Sequence, residues 1–357
     1  MSLNDPQVQF KRIKDSKHVE AYSVIGYNNK KVRNVVIPDN YRGLPVISIS
    51  AGAFKDYKYL KNVILPDTIV SILDDAFKNC SSLFNIHLSS SLSFIGAMAF
   101  ENCTSLTNIE LPDSILFMGK NVFHNCRRLQ KLSLPLSFCQ RLKDRDSKDI
   151  LPLVIGCRKL EKISLPIWIS LSSLQLLFQG SKPKTLELID LYLIHQKPRL
   201  SLVVKQYLSC FKNLVFTTKS DTPLSMNSFI LNVFPNLRSI QLPSSVEVIP
   251  SFAFSKVSKL KKVIIPQSVK SIKNSAFFGL LELNAIHLPH SIKCIENEAF
   301  NKCSEIKIVI YNGTKDELKS ICNPKEAFKD IRTNAILCVD GYYHIRERYT
   351  KTLTKQL

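Results

Sequence analysis

AFENCTSLTNIELPDSILFMG, residues 99–119, is, read alone, a soluble-looking fragment with an apolar residue at every third or fourth place. Beside its neighbours it becomes one line of a repeated text. The chain reads AFKNCSSLFNIHLSSSLSFIG from 76 to 96 and VFHNCRRLQKLSLP from 122 to 135, each displaced by 23 residues. Aligned on the first residue of each apolar triplet, a column forms: Val32, Leu60, Leu83, Leu106, Leu129, Leu160, Leu186, Leu214, Leu237, Leu260, Leu283 and Ile306. A second column stands three places on (Val63, Ile86, Ile109, Leu132) and a third five places on (Leu65, Leu88, Leu111, Leu134). Only the Leu214 row breaks the second and third columns, with Thr217 and Lys219. Every step from Leu60 to Leu129 and from Leu237 to Ile306 is 23 residues, so the chain is a repeat array.

Each letter of the repeat has a physical reading. The positions at +3 and +5 alternate as in a strand and point to one side. Proline follows at 38, 66, 112, 135, 166, 243, 266 and 289; lacking an N–H, it ends the strand and turns the chain. A second apolar pair comes next, such as Leu92/Ile95 or Val269/Ile272, and then a small–aromatic pair: Ala53-Phe54, Ala76-Phe77, Ala99-Phe100, Ala253-Phe254, Ala276-Phe277 and Ala299-Phe300. One coil cannot bury these groups alone, whereas stacked coils can.

The spacing L-x-x-I-x-L-P followed by S-[VI]-x-x-I-x-x-x-A-F resembles the BspA-like leucine-rich repeat family over nearly the whole chain. The resemblance implies a right-handed leucine-rich repeat solenoid, α/β or mainly β. It is expected to have about twelve 23-residue coils, a parallel sheet on one side and caps at both ends. Residues 1–35 are read as the N-terminal capping segment, 36–310 as the array with an irregular middle at 136–236, and 311–357 as a helical and strand cap. Residues 19–54 resemble the family's N-terminal module and 308–321 its C-terminal one. Independently, Thr314 and Glu317 have capping-box spacing. Asn323-Pro324 starts a further short helix, and AILCVDGYY (335–343) a final strand. FCQRLKDRDSKDI (138–150) is a polar insertion.

The charge is +20 and unevenly distributed. Residues 1–119 hold 12 Lys and Arg against 11 Asp and Glu, 120–199 hold 15 against 6, and 200–357 hold 22 against 12. The start, MSLNDPQVQFKRIKD, has no apolar core of a signal peptide. No stretch reaches the roughly 18 apolar residues of a spanning helix. The expected location is therefore cytoplasmic, or outside by a non-classical route.

No Walker loop, G-x-G-x-x-G, G-x-S-x-G, H-E-x-x-H or C-x-x-C occurs, so no cofactor, metal or catalytic set is expected. Of the ten cysteines, Cys80, Cys103, Cys126, Cys157 and Cys303 stand three places before a column residue and Cys210 four, which marks them as buried free thiols. Cys139, Cys294, Cys322 and Cys338 have no partner signature.

What remains is the open face of the sheet, at +2 and +4. It presents Asn85, His87, Asn108, Glu110, Lys131, Ser133, Lys162, Lys262, Ile264 and His287 as candidate partner-binding residues, with no catalytic or metal residues among them. Ile308 and Ile310 occupy the same face, where the C-terminal helices are expected to cover them. The function expected is a non-enzymatic protein-interaction module, binding a partner with an acidic surface through the open sheet and the insertions. The resemblance adds adhesin-like or host-interaction roles. The alternative is a basic scaffold that binds nucleic acid or an acidic membrane through residues 120–357.

Overall fold

The computed structural model describes residues 7–15, 18–142, 151–166, 175–189, 208–217, 224–225 and 234–345. They fall into two compact units, one comprising the described residues up to Ile189 with 208–210, the other those from Phe211 onward. Each is a β-solenoid.

In the N-terminal unit the strand Val8–Lys14 pairs antiparallel with Glu20–Tyr27, which runs parallel to Leu44–Ile49. Two parallel ladders then climb the unit. The first carries the L-x-x-I-x-L segments: Asn34–Val36, Asn62–Ile64 and Asn85–His87, and further on Lys131–Ser133, Lys162–Pro166 and Thr185–Ile189. The second is built from the apolar pair after the proline: Leu44–Ile49, Ser71–Ile72, Phe94–Ile95 and Phe117–Met118. The C-terminal unit repeats the plan. Asn213–Thr217, Ser239–Gln241 and Lys262–Ile264 lie on one side, and Leu224–Ser225, Val246–Ile249, Ser271–Ile272 and Cys294–Ile295 on the other.

Between the ladders the proline acts as the first residue of a tight turn. The amide of Ile69 donates to Pro66 O at 3.1 Å, that of Ile115 to Pro112 O and that of Val269 to Pro266 O, both at 3.2 Å. Leu60, Leu83, Leu106, Leu129, Leu237, Leu260, Leu283 and Ile306 are fully buried. In each unit the phenylalanines at the Ala-Phe position form a column of stacked rings. Phe54, Phe77, Phe100 and Phe123 have centroids 5.2, 5.4 and 5.7 Å apart with planes within 10°. Phe254, Phe277, Phe300 and Phe328 follow at 4.9, 4.8 and 4.8 Å.

The Phe corner sets two backbone demands. Asp56, Asn79, Asn102 and Asn125 all have φ between 57 and 67°, the left-handed region that asparagine and aspartate tolerate best after glycine. Their side chains form a ladder in which Asn79 Nδ2 donates to Asp56 Oδ1, Asn102 Nδ2 to Asn79 Oδ1 and Asn125 Nδ2 to Asn102 Oδ1, at 2.8, 2.7 and 3.1 Å. The second demand is space. A Cβ on Gly96 would lie 2.4 Å from the amide nitrogen of Asp74 in the preceding coil, so only glycine fits.

Several expectations need correction. Val32 is only half-buried, and so is Leu111. Two rows lie three residues away from their expected register. Leu186 pairs with Ile163, and Leu214 with Ile240, so both belong to the second column. The true rows are Pro183, Leu186, Leu188 and Phe211, Leu214, Phe216, all buried. A buried proline or phenylalanine fills the first position as well as leucine does, and the anchor letter was missed for that reason. With Pro183 in place, the step from Leu160 is again 23 residues. Residues 107–111 form no strand, although Ile109 still points inward. Leu191 and Lys219 of the columns, and 143–150 of the insertion, lie outside the described residues; its start joins the helix Leu136–Leu142.

At the C-terminal end Ile308–Tyr311 is followed by the helix Lys315–Ile321. Its N-cap Thr314 accepts from the Glu317 amide while Glu317 accepts from the Thr314 amide, closing the capping box. A single-turn helix, Pro324–Ala327, has Asn323 as its N-cap. The last described segment is a hairpin, Ala335–Cys338 with Gly341–His344, whose first strand runs parallel to Ile308–Tyr311.

Leu106→Ala is expected to destabilise the protein by roughly 2–5 kcal/mol in denaturant unfolding, as buried leucine truncations do. Asn102→Ala should lose about 1–2 kcal/mol from the left-handed backbone and the ladder bonds together. Asn102→Gly keeps the backbone freedom and should fall between the two. Equal losses for Ala and Gly would show that φ plays no part.

Candidate partner-binding surface

The open face of the first ladder is set by strand register. In the N-terminal unit Asn34, Asn62 and Asn85 share one cross-strand row, and Val36, Ile64 and His87 the next. Asn62 Nδ2 donates to Asn34 Oδ1 at 2.7 Å, while Asn85 and His87 stand exposed. Asn108 and Glu110 are exposed too, but on the stretch that forms no strand. Lys131 and Ser133 are exposed on the strand that follows.

Lys162 behaves differently. It is half-buried, and its ammonium lies 2.9 Å from the Glu187 carboxylate on the next strand. Ser164 donates to the same carboxylate and is buried, so this position leaves the open face. Of the two candidate lysines on this part of the face, Lys131 is left as the open charge, because that of Lys162 is already paired.

In the C-terminal unit Lys262, Ile264 and His287 are exposed. The expectation that helices cover Ile308 and Ile310 fails for the first, which is 53% exposed; Ile310 is half-buried, with the strand Ala335–Cys338 beside it. Register then reveals a row that sequence reading missed. His287 lies opposite Ile310, Ile310 opposite Leu337, and Leu337 opposite Tyr342. Leu337 is 37% and Tyr342 63% exposed, so three apolar side chains and an imidazole line up across four strands. The signal was the alternation in AILC and GYYH, hidden because the two strands lack the repeat spacing.

Five of the six cysteines at the repeat position are interior, whereas Cys210, expected to be buried with them, is half-buried. Each thiol of Cys80, Cys103, Cys126 and Cys303 donates to the carbonyl of the phenylalanine one coil back, at 3.0, 3.3, 3.2 and 2.9 Å. Cys157 does the same to Phe123 O at 3.0 Å. Burial pushes the thiols of Cys80, Cys157 and Cys303 up to about 12, and those of Cys103 and Cys126 well above the ordinary range. Cys139 and Cys338 are buried, Cys322 is half-buried and Cys294 is exposed.

On another side of the same coils, Lys55, Asp75, Lys78 and Glu101 form a chain of ion pairs at 2.9, 3.4 and 2.8 Å. His124 Nδ1 lies 3.0 Å from Glu101 at its end. Despite partial burial, which acts against them, hydrogen bonds from Lys55 and Lys78 hold the carboxyls of Asp75 and Glu101 below their usual range.

Among the described residues no group of three or more His, Cys, Asp or Glu is placed to hold a metal ion, and no helix is long and apolar enough to cross a membrane.

The family model described as BspA type Leucine rich repeat region matches six copies, over residues 24–144 and 222–346. Among solved structures, the chain is similar to a leucine rich cell surface protein from Faecalibacterium prausnitzii A2-165. The identity is 20%, the match covers 90% of this chain and 99% of the other, and the TM-score is 0.37. A leucine-rich repeat protein of T. pallidum matches at 19% identity over 78% of this chain and 89% of its own, with a TM-score of 0.36. The pneumococcal vaccine antigen PcpA matches at 18% identity, over 86% and 80%, with a TM-score of 0.33. No protein of curated function matches the chain.

Because folding protects the thiol protons, their contribution to stability is complete below the unfolded thiol range near 9. It should be lost as pH rises from there toward 12. Alkaline unfolding that begins above about pH 9 and weakens in Cys80→Ala is expected, as is a non-reducing mass analysis without bonds among Cys80, Cys103 and Cys126.

Proposed function

The chain belongs to the BspA-type leucine-rich repeat family, and we propose that it is a non-enzymatic module that binds a protein partner through the open face of its first ladder. The observation that carries this reading is the uncovered apolar row in the C-terminal unit. Half-buried Ile310 with exposed Leu337 and Tyr342 forms the row, and exposed Ile308 stands beside it on the same face of its strand; the inner side chains are buried while these outer ones reach water. Contiguous exposed apolar groups on a rigid sheet mark an interaction surface, and binding anchors of this kind dominate protein interfaces. Ile264, two coils before Ile310, adds a further exposed apolar group beyond His287, with Lys262 on the same strand. Asn85, His87, Asn108, Glu110, Lys131 and Ser133 provide the corresponding polar face of the N-terminal unit, where Lys162 acts by positioning Glu187.

The test is a comparison of captures. Tagged wild-type protein and an Ile308→Glu/Leu337→Glu variant are exposed to the same cell extract, and retained proteins are quantified by mass spectrometry. Both positions are on the water side, so the thermal midpoint should stay nearly unchanged. At least one protein held by the wild type should drop roughly tenfold or more with the variant, the size expected when anchor residues are lost. Identical capture profiles would overturn the reading.

A further inference from the structure

The basic charge of the N-terminal unit is concentrated at one corner. The tight turn between the buried thiol and the first column residue holds Arg127 and Arg128 in one coil, and Arg158 and Lys159 in the next. In the third, Ser181 takes the thiol's place, donating to Val154 O at 2.7 Å, and Lys182 and Lys184 flank Pro183. All six cations are exposed, and none makes a salt bridge among the described residues. The coils stack directly here. The amide of Glu161 donates to Gln130 O and that of Lys184 to Glu161 O, both at 2.9 Å. The charges therefore repeat at the rise of adjacent strands, about 4.8 Å, inside the Debye length of about 8 Å at physiological salt. Residues 120–142, 151–166 and 175–189 hold ten Lys and Arg against two Glu, and one of those, Glu187, is taken by Lys162. In the preceding coils the same turn is Ser81-Ser82 and Thr104-Ser105. The ridge is thus local rather than a by-product of the repeat.

Its composition narrows the ligand. A protein interface needs an apolar or aromatic anchor at its centre. Between Arg127 and Lys184 the described residues expose one large apolar side chain, Leu151, at 39%. Single-stranded nucleic acid needs aromatic rings to stack its bases, and no exposed aromatic lies in these coils among the described residues. Charge alone remains, arranged in a line.

We propose that this ridge binds a linear polyanion without bases, a polymer bearing sulfate or phosphate groups, with arginine guanidinia pairing to the anionic oxygens. The site is independent of the apolar face in the other unit.

Binding of dextran sulfate is measured by titration at several salt concentrations, with unsulfated dextran as the blank. Inorganic polyphosphate is run in parallel, and tighter binding of one or the other identifies the anionic source. The variant Arg128→Ala/Arg158→Ala/Lys159→Ala should bind at least tenfold more weakly at physiological salt. Its slope of log affinity against log salt should be shallower by about 2–3, by analogy with the charge dependence of nucleic-acid binding. A charge-matched variant of the other unit, Lys256→Ala/Lys270→Ala/Lys293→Ala, should stay within about twofold of the wild type. Ile308→Glu/Leu337→Glu should also retain binding, which separates failure here from failure of the apolar face. Equal weakening in the two lysine and arginine triples, or no binding of either polyanion, overturns the proposal. So does displacement of dextran sulfate by single-stranded RNA or poly-glutamate at lower charge concentration. Circular dichroism melting confirms that each variant is folded.

Discussion

The interaction on which the rest depends is the hydrogen bonding of each coil to the next at a fixed rise. The amides of Phe54, Phe77, Phe100 and Phe123 donate to carbonyls of the following coil, and those of Gly96 and Gly119 to Ile72 and Ile95 of the preceding one. Within a coil the backbone bonds close only the turns, as from Ile69 to Pro66 and from Cys80 to Phe77, so a single coil is neither dry nor fully bonded. Once the rise is fixed, equivalent residues must superpose. Phenylalanines then stack, asparagines form their ladder, and each cysteine meets the carbonyl of the previous phenylalanine. The left-handed backbone of Asn79, Asn102 and Asn125 follows from the same requirement, because a corner that differed in one coil would misplace the donors of its neighbour.

This explains which parts of the molecule could be read in advance. The columns through Leu60–Leu129 and Leu237–Ile306 were legible because an interior position under stacking admits few residue types. The capping box at Thr314 was legible because it is a local reciprocal bond. The rows at Pro183 and Phe211 were misread because the first position asks for apolar volume rather than leucine, and nearby Leu186 and Leu214 matched the letter better. The second ladder could be anticipated only as an apolar pair, since two-residue strands carry too little alternation to announce themselves.

The surface was less legible than the core, for a physical reason. An outer position tells nothing of which other outer residues share its row until register is known. Lys162 looked equivalent to Lys131 by spacing, yet the neighbouring strand places Glu187 against it. Ile308 looked like a residue awaiting cover, yet register joins it to a sheet that continues through Leu337 and Tyr342. Spacing alone brings Arg127, Arg128, Arg158 and Lys159 within two coils, whereas Lys182 and Lys184 join them only once register puts Pro183 in the first column.

The close fit at Gly96 has a hereditary consequence. Because its missing side chain is matched to the coil before it and its amide to the carbonyl of Ile72, the contact is made by repeat position rather than by individual identity. An in-frame duplication or loss of one whole repeat would leave every such contact with an equivalent partner. A change of one or two residues would set the amides against the wrong carbonyls throughout that coil. Length variation in this protein should therefore be quantised: the genome can lengthen or shorten the array by whole rungs, whereas small insertions are confined to the connections between ladder strands.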